Sequence, residues 1–88
     1  MTTNSKAFDP AQFDVDADDA LEQMMNALDE LAYEAAPASG QIECRDVVRD
    51  TRGFWYAVFW SPKTGSFDLD LPCTRDDIAA AYLSHAKA

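Results

Sequence analysis

The chain has few of the residues that most catalytic and metal sites use. It contains one histidine, two cysteines and three glycines among its 88 residues. It has no glycine-rich loop of the kind that cradles a phosphate, and its cysteines, Cys44 and Cys73, are too far apart for a C-x-x-C motif. The lone histidine, His85, falls in the last turn of a predicted helix, where packing or an interaction with the helix dipole is more common than catalysis. We therefore predict no enzymatic activity, no catalytic or metal site and no cofactor.

Long apolar runs are also absent. No run approaches the roughly 20 residues that span a bilayer, and residues 1–10 lack the positive-then-apolar pattern of a secretion signal. We expect a cytoplasmic protein that binds no membrane and keeps its cysteines as buried free thiols. Since 48% of the residues are apolar, the chain is expected to fold despite a net charge of −9.

Basic residues are missing from one stretch of the chain, residues 7–44. Residues 1–44 carry ten carboxylates and one lysine, whereas residues 45–88 carry six carboxylates and six basic side chains. The excess negative charge therefore lies in the N-terminal half. Such a surface repels phosphates, which argues against direct binding to nucleic acid.

Hydrophobic spacing and turn residues predict a single α+β domain with the order α-β-β-β-α. A first helix starts near Asp19, with Glu22 in a capping-box position, and ends at Pro37 and Gly40. A last helix covers about 75–86, with Thr74 as its cap. Between them the sequence predicts a three-stranded antiparallel meander over about 41–49, 54–60 and 66–71. Residues 1–15 are predicted to be a flexible or loosely docked acidic tail, and residues 16–88 the domain itself.

The two turns predict which side chains share a face of the sheet. A four-residue loop at 62–65 puts Ser61 opposite Ser66, and a three-residue loop at 51–53 puts Asp50 opposite Phe54. In this register the face that both helices cover holds Cys44, Val48, Tyr56, Val58, Trp60, Phe67, Leu69 and Leu71. Asp46 falls on the same face, where an unpaired carboxylate would be buried at high cost. A bulge, a basic partner or a register error would remove this conflict.

The opposite face of the sheet is predicted to be exposed and to carry arginines beside aromatic rings. Such pairs are frequent in interaction hot spots. This candidate partner-binding face consists of Arg45, Arg49, Trp55 and Phe59. An equally weighted alternative is that Phe8 or Phe13 of the tail covers Trp55.

The first helix is predicted to expose a row of carboxylates, which we call the acidic surface. It consists of Asp18, Asp19, Glu22, Asp29, Glu30 and Glu34. An ordinary exposed helix mixes charge signs, because like-charge pairs at i,i+4 each cost about 0.2–0.5 kcal/mol. The alternative to a binding role is that these charges only maintain solubility.

Residues 14–18, Asp-Val-Asp-Ala-Asp, begin like a calcium-binding EF-hand loop. That loop requires glycine at its sixth position and glutamate at its twelfth, and here those positions hold Asp19 and Met25. We therefore interpret these aspartates as partners of the helix dipole.

Two functions fit these surfaces. In the first, the acidic surface presents carboxylates to the basic, nucleic-acid-binding site of a partner protein, as an inhibitor or nucleic-acid mimic of the anti-CRISPR or anti-restriction type. Small phage or mobile-element proteins often have this character. In the second, the aromatic sheet face serves a regulatory or structural module such as a toxin-neutralising partner, a chaperone or a homodimer.

Overall fold

The structure, a computed structural model, describes residues 7–36 and 40–86. Within them the elements follow one another as a short 3-10 helix Pro10–Gln12, helix α1 Ala20–Ala35, strands β1 Glu43–Arg49, β2 Trp55–Ser61 and β3 Gly65–Asp70, and helix α2 Arg75–Ala86. The strands form one antiparallel sheet in the order β1-β2-β3. The predicted α-β-β-β-α meander is confirmed. Neither α1 nor α2 is long and apolar enough to cross a membrane.

Both helices pack on one face of the sheet, which we call the inner face. Met24 and Leu28 of α1 and Ile78 of α2 are fully buried and belong to one core cluster with Phe59 of β2. Burying a side chain of this size stabilises a fold by about 1.5–3 kcal/mol, so this layer supplies most of the hydrophobic driving force. The predicted two-layer arrangement, with the helices on a single face, is confirmed.

Helix α1 begins where it was predicted to begin, but without the predicted capping box. The side chain of Asp19 makes no hydrogen bond to the helix backbone and instead accepts one from Gln23 Nε2 at 2.7 Å. Helix α2 does form its capping box: the Thr74 hydroxyl accepts from the Asp77 N–H at 3.1 Å, and the Asp77 carboxylate accepts from the Thr74 N–H at 2.9 Å. Pro37, the predicted end of α1, lies outside the described residues.

The segment before α1 is attached to the domain. Phe8 is 7% exposed and forms an antiparallel bridge with Cys73, in which each N–H donates to the other residue's carbonyl. Its ring lies 5.2 Å from that of Phe13, and Phe13 and Val15 pack against the core. Three aromatic and aliphatic side chains therefore anchor this part of the predicted tail. The boundary at residue 15 stays a prediction.

The first hairpin matches its prediction. The Asp50 N–H donates to the Phe54 carbonyl at 2.8 Å, and Gly53 adopts the left-handed conformation with φ of 91°. Partial desolvation favours a higher pKa for Asp50, but hydrogen bonds from the Phe54 N–H and from the backbone and guanidinium of Arg52 outweigh it. The pKa of Asp50 therefore lies below its ordinary value.

The second hairpin differs from its prediction by one residue. Ser61 pairs with Gly65 rather than Ser66, so the loop has three residues and Gly65, with φ of 73°, begins β3. Phe59, not Trp60, therefore pairs with Phe67. Because successive side chains of a strand point to opposite faces, this slip exchanges the two faces of β2.

The predicted core face of β2 is therefore wrong. Trp55, Ala57 and Phe59 point to the inner face, and Tyr56, Val58 and Trp60 to the other, which we call the outer face. The assignments of Phe67, Leu69 and Leu71 to the core and of Asp68 and Asp70 to the opposite side are correct.

Strand β1 contains a bulge that resolves the conflict at Asp46. The pairing shifts between Cys44 and Asp46, so Cys44 stays on the inner face while Asp46 moves to the outer face opposite Val58. Asp46 is exposed, and its Oδ1 accepts from the Val47 N–H at 2.9 Å. After the bulge Val47, not Val48, is buried. Both a bulge and a register error were thus involved.

Candidate functional site

The acidic surface lies along the exposed side of α1 and on the two residues that precede the helix. All six of its carboxylate residues are exposed: Asp18, Asp19, Glu22, Asp29, Glu30 and Glu34. Residues four apart along α1, namely Ala20, Met24, Leu28 and Ala32, are buried and turn the opposite side of the helix into the core. The sequence therefore placed these acidic side chains correctly as exposed groups, while their role in binding stays a prediction.

Ion pairs in the described residues do not involve the acidic surface. Three are present, and each joins neighbours in the sequence: Arg45 with Glu43 at 2.6 Å, Arg52 with Asp50 at 3.0 Å, and Arg75 with Asp76 at 3.9 Å. The carboxylates of α1 thus keep their charge unpaired by any arginine or lysine within residues 7–36 and 40–86.

Asp29 differs from the other members of the acidic surface. Its Oδ1 accepts a hydrogen bond from the backbone N–H of Cys44 at 3.0 Å, which ties α1 to β1. Asp29 therefore has a structural role that the charge pattern alone did not reveal. Glu22, Glu30 and Glu34 make no such contact in the described part of the chain.

Tyr33 is an exposed residue beside the acidic surface that the charge pattern of the sequence does not reveal. Its side chain is 80% exposed, and it lies one turn after both Asp29 and Glu30 on the helix. An exposed tyrosine between carboxylates supplies apolar contact area in a charged interface. Its position outside the buried series Ala20, Met24, Leu28 and Ala32 was the signal that it points outward.

A groove of about 880 Å³ lies between α1 and β1, beside the acidic surface. Asp29, Glu34 and Glu43 line it together with Tyr33 and Met25. A groove lined by carboxylates and by apolar side chains suits the cationic head and the aliphatic stem of a lysine or arginine side chain.

The four residues predicted to form an aromatic sheet face do not share a surface. Phe59 is fully buried in the core, and Arg45 lies instead over the Trp60 ring, at 4.5 Å, on the outer face. Arg49 does lie over Trp55, at 5.6 Å, but on the inner face. The predicted face is therefore wrong as a single surface, because the slip in the second hairpin and the bulge in β1 separate its members.

The Trp55 ring borders the attached N-terminal segment. Phe13 and Val15 line a groove of about 340 Å³ together with Trp55 and Leu71. This segment thus lies beside Trp55, while the alternative that Phe8 or Phe13 covers that residue stays a prediction.

The histidine and the two cysteines are engaged in packing. The His85 ring stacks on Phe67 at 5.2 Å, and its Nδ1 lies 2.9 Å from the Ala81 carbonyl oxygen. Cys44 and Cys73 are free and buried, and burial raises the pKa of Cys44 to about 12 and that of Cys73 to about 11. Such thiols are poor nucleophiles, because the thiolate is the reactive form.

The aspartates at 14–18 do not gather around a cation position. The Asp14 Oδ1 accepts from the Asp16 N–H at 3.3 Å in a local turn. In residues 7–36 and 40–86 no three histidine, cysteine or acidic side chains are placed to hold a metal ion.

Comparison with known protein families, with curated proteins and with solved structures finds no match to this chain.

Proposed function

We propose that this protein is a small, non-enzymatic, cytoplasmic binding module whose acidic surface occupies the basic, nucleic-acid-binding site of another protein. It acts as a stoichiometric inhibitor or nucleic-acid mimic, of the anti-CRISPR or anti-restriction type, and needs no cofactor. The observation that carries the proposal is the exposure of the α1 carboxylates without a basic partner in the described residues.

The cost of this arrangement supports a role for the charge. Glu30 and Glu34 are a like-charge pair at i,i+4, which destabilises a helix by about 0.2–0.5 kcal/mol. A basic residue at either position would replace this repulsion with a favourable pair. Retaining two carboxylates is therefore expected where a basic partner supplies the missing charge.

The spacing of the carboxylates suits a site built for phosphates. Side chains on successive turns of α1 are about 5–6 Å apart, comparable with phosphates along a nucleic-acid strand. Such an array needs no base-specific contact to block a basic groove. It also accelerates the encounter through long-range attraction, which salt screens.

Two variants with matched charge test the proposal. The helix variant carries Glu22→Gln, Glu30→Gln and Glu34→Gln. The sheet variant carries Asp46→Asn, Asp68→Asn and Asp70→Asn. Each removes three exposed carboxylates, so net charge is equal, and Asp29 is left intact because it bonds the Cys44 backbone.

The experiment is affinity capture from the native host, or from a host that carries a suspected target, at low and high salt. We expect a basic, nucleic-acid-handling protein to be retained, to bind less tightly at high salt, and to lose its nucleic acid on binding. The helix variant should weaken binding by about 3- to 150-fold, since it removes three charges and each interfacial charge pair contributes roughly 0.2–1 kcal/mol. Retention of non-basic proteins alone, binding that salt does not change, or a helix variant that weakens binding no more than the sheet variant does, would refute the proposal.

A further inference from the structure

The outer face of the sheet is a second surface that no described element covers. Helices α1 and α2 and the segment at 8–17 pack against the inner face, and Tyr56, Val58 and Trp60 do not belong to that core. These three side chains of the central strand, with Val48 on β1, are half-buried and form an apolar stripe.

Carboxylates flank this stripe on both sides. Asp46 on β1 and Asp68 on β3 both pair with Val58, so the three residues form one row across the sheet. Asp70 lies next to Tyr56 in the neighbouring row. All three aspartates are exposed.

Arg45, the basic side chain on this face, already has two partners within the chain. Arg45 pairs with Glu43 at 2.6 Å and stacks on the Trp60 ring, so one end of the stripe is closed by an arginine engaged twice. Among the described residues of β1, β2 and β3, the outer face therefore carries four carboxylates and one arginine, Arg45. The four carboxylates belong to Glu43, Asp46, Asp68 and Asp70. The face is apolar at its centre and negative at its borders.

The row Asp46, Val58 and Asp68 has a definite dimension. Neighbouring strands are about 4.8 Å apart, so the two outer strands are separated by about 10 Å. In an α-helix, residues i and i+7 are about 10.5 Å apart on one side, and i+3 and i+4 lie between them. A helix with basic residues at i and i+7 and apolar residues between them matches the row in charge and in length.

We propose that the outer face docks a cationic amphipathic helix of a protein partner, which lies across the strands with its apolar side on Val58 and its basic residues on Asp46 and Asp68. The site goes beyond the acidic surface and rests on the proposed function only in requiring a basic partner. The same carboxylates repel nucleic acid and anionic lipid, and a second copy of this chain brings a further charge of −9. Charge complementarity therefore selects a basic protein segment.

The test uses a short designed helical peptide with lysine at i and i+7 and leucine at i+3 and i+4, titrated into the full chain. Backbone amide NMR shifts locate the contact, and the dissociation constant is measured for the unmodified chain, the helix variant and Asp46→Asn/Asp68→Asn. A peptide with glutamate in place of both lysines is the control. Light scattering without peptide reports self-association, and the amide spectrum of each variant verifies its fold.

The expected result is a saturable, salt-sensitive complex whose shifts centre on Tyr56, Val58 and Trp60. Asp46→Asn/Asp68→Asn should weaken it about tenfold, while the helix variant should change it less than about twofold. Shifts centred on α1, equal affinity for the glutamate peptide, an unchanged affinity in Asp46→Asn/Asp68→Asn, or dimerisation through this face would overturn the inference. Capture by the acidic surface would survive any of these outcomes, so failure here is separable from failure of the proposed function.

Discussion

Truncation of two adjacent aromatic residues, Phe59 and Trp60, tests the exchange of the two faces of β2. Phe59 is 0% exposed, and its ring centroid lies 5.7 Å from that of Phe67. Phe59→Ala removes a fully packed ring and should cost about 3–5 kcal/mol in the free energy of unfolding. For a domain of 88 residues, with a total stability of roughly 4–13 kcal/mol, that is a large share.

Trp60 is the larger residue but should matter less to stability. It is half-buried on the outer face, and its identified partner is the Arg45 guanidinium at 4.5 Å. Losing a cation–π contact of about 0.5–1 kcal/mol and about 1–2 kcal/mol from the partly buried ring should cost about 1.5–3 kcal/mol in Trp60→Ala.

Urea unfolding, followed by far-ultraviolet circular dichroism, measures both costs. Phe59→Leu provides a milder variant in case Phe59→Ala does not fold, and it should still lower the midpoint more than Trp60→Leu. A larger loss from the tryptophan change than from the phenylalanine change would refute the register described above and restore the four-residue loop.

Three further measurements test local features. Thr74→Ala removes the cap of α2 and should cost about 1 kcal/mol, which lowers Tm by about 4–8 °C in a thermal melt, whereas Thr74→Ser should change Tm little. A thiol reagent at about pH 8 should label Cys44 and Cys73 of the folded chain far more slowly than those of the urea-unfolded chain, because burial raises both pKa values; equal rates would contradict their burial. Because the pKa of Asp50 is lowered in the folded chain, its carboxylate stabilises the fold fully above the ordinary pKa of 3.8. This stabilisation is lost as the pH falls below 3.8 towards the lowered pKa. Acid unfolding of Asp50→Asn should accordingly depend less steeply on pH between about 5 and 2 than that of the unmodified chain.

The predictions that succeeded rest on local signals. Thr74 caps α2 as predicted, in a capping box with Asp77. The carboxylates of the acidic surface are exposed as predicted, because Met24, Leu28 and Ala32, spaced four residues apart, turn the other side of α1 into the core. The first hairpin closes as predicted because its glycine terminates a three-residue loop. Local hydrogen bonds and helical periodicity decide each of these features, and both are visible in the sequence.

The features that the sequence left undecided depend on a single residue of register. A glycine after Pro-Lys-Thr can end a four-residue loop or begin the next strand, and both choices give Gly65 a left-handed conformation. Aromatic and aliphatic residues occupy both faces of β2, so hydrophobicity did not reveal which alternate set is buried. The bulge after Cys44 is likewise a matter of pairing with β2, and its signal in the sequence, Asp46 on the predicted core face, fitted a register error equally well.

Of the two candidate surfaces, the acidic surface could be predicted from the sequence and the outer face could not. Exposure of the acidic surface follows from helical periodicity, and the sequence was sufficient for it. The outer face required the strand register, which is a long-range property. Tyr33 was overlooked because the acidic surface was defined by its carboxylates alone, and an uncharged aromatic residue is not part of that charge pattern.

The hydrogen bond from the Cys44 N–H to the Asp29 carboxylate bears on aggregation. Strand β1 is an edge of the sheet, and an edge strand with free backbone groups is a template for pairing with a strand of another molecule. A carboxylate from α1 occupies one of its donors and brings a negative charge to the edge. Helix α1 therefore protects one point of this open edge as well as carrying the acidic surface, and Asp29→Ala, which frees that donor and removes its charge, should raise the tendency of the chain to add strands at β1.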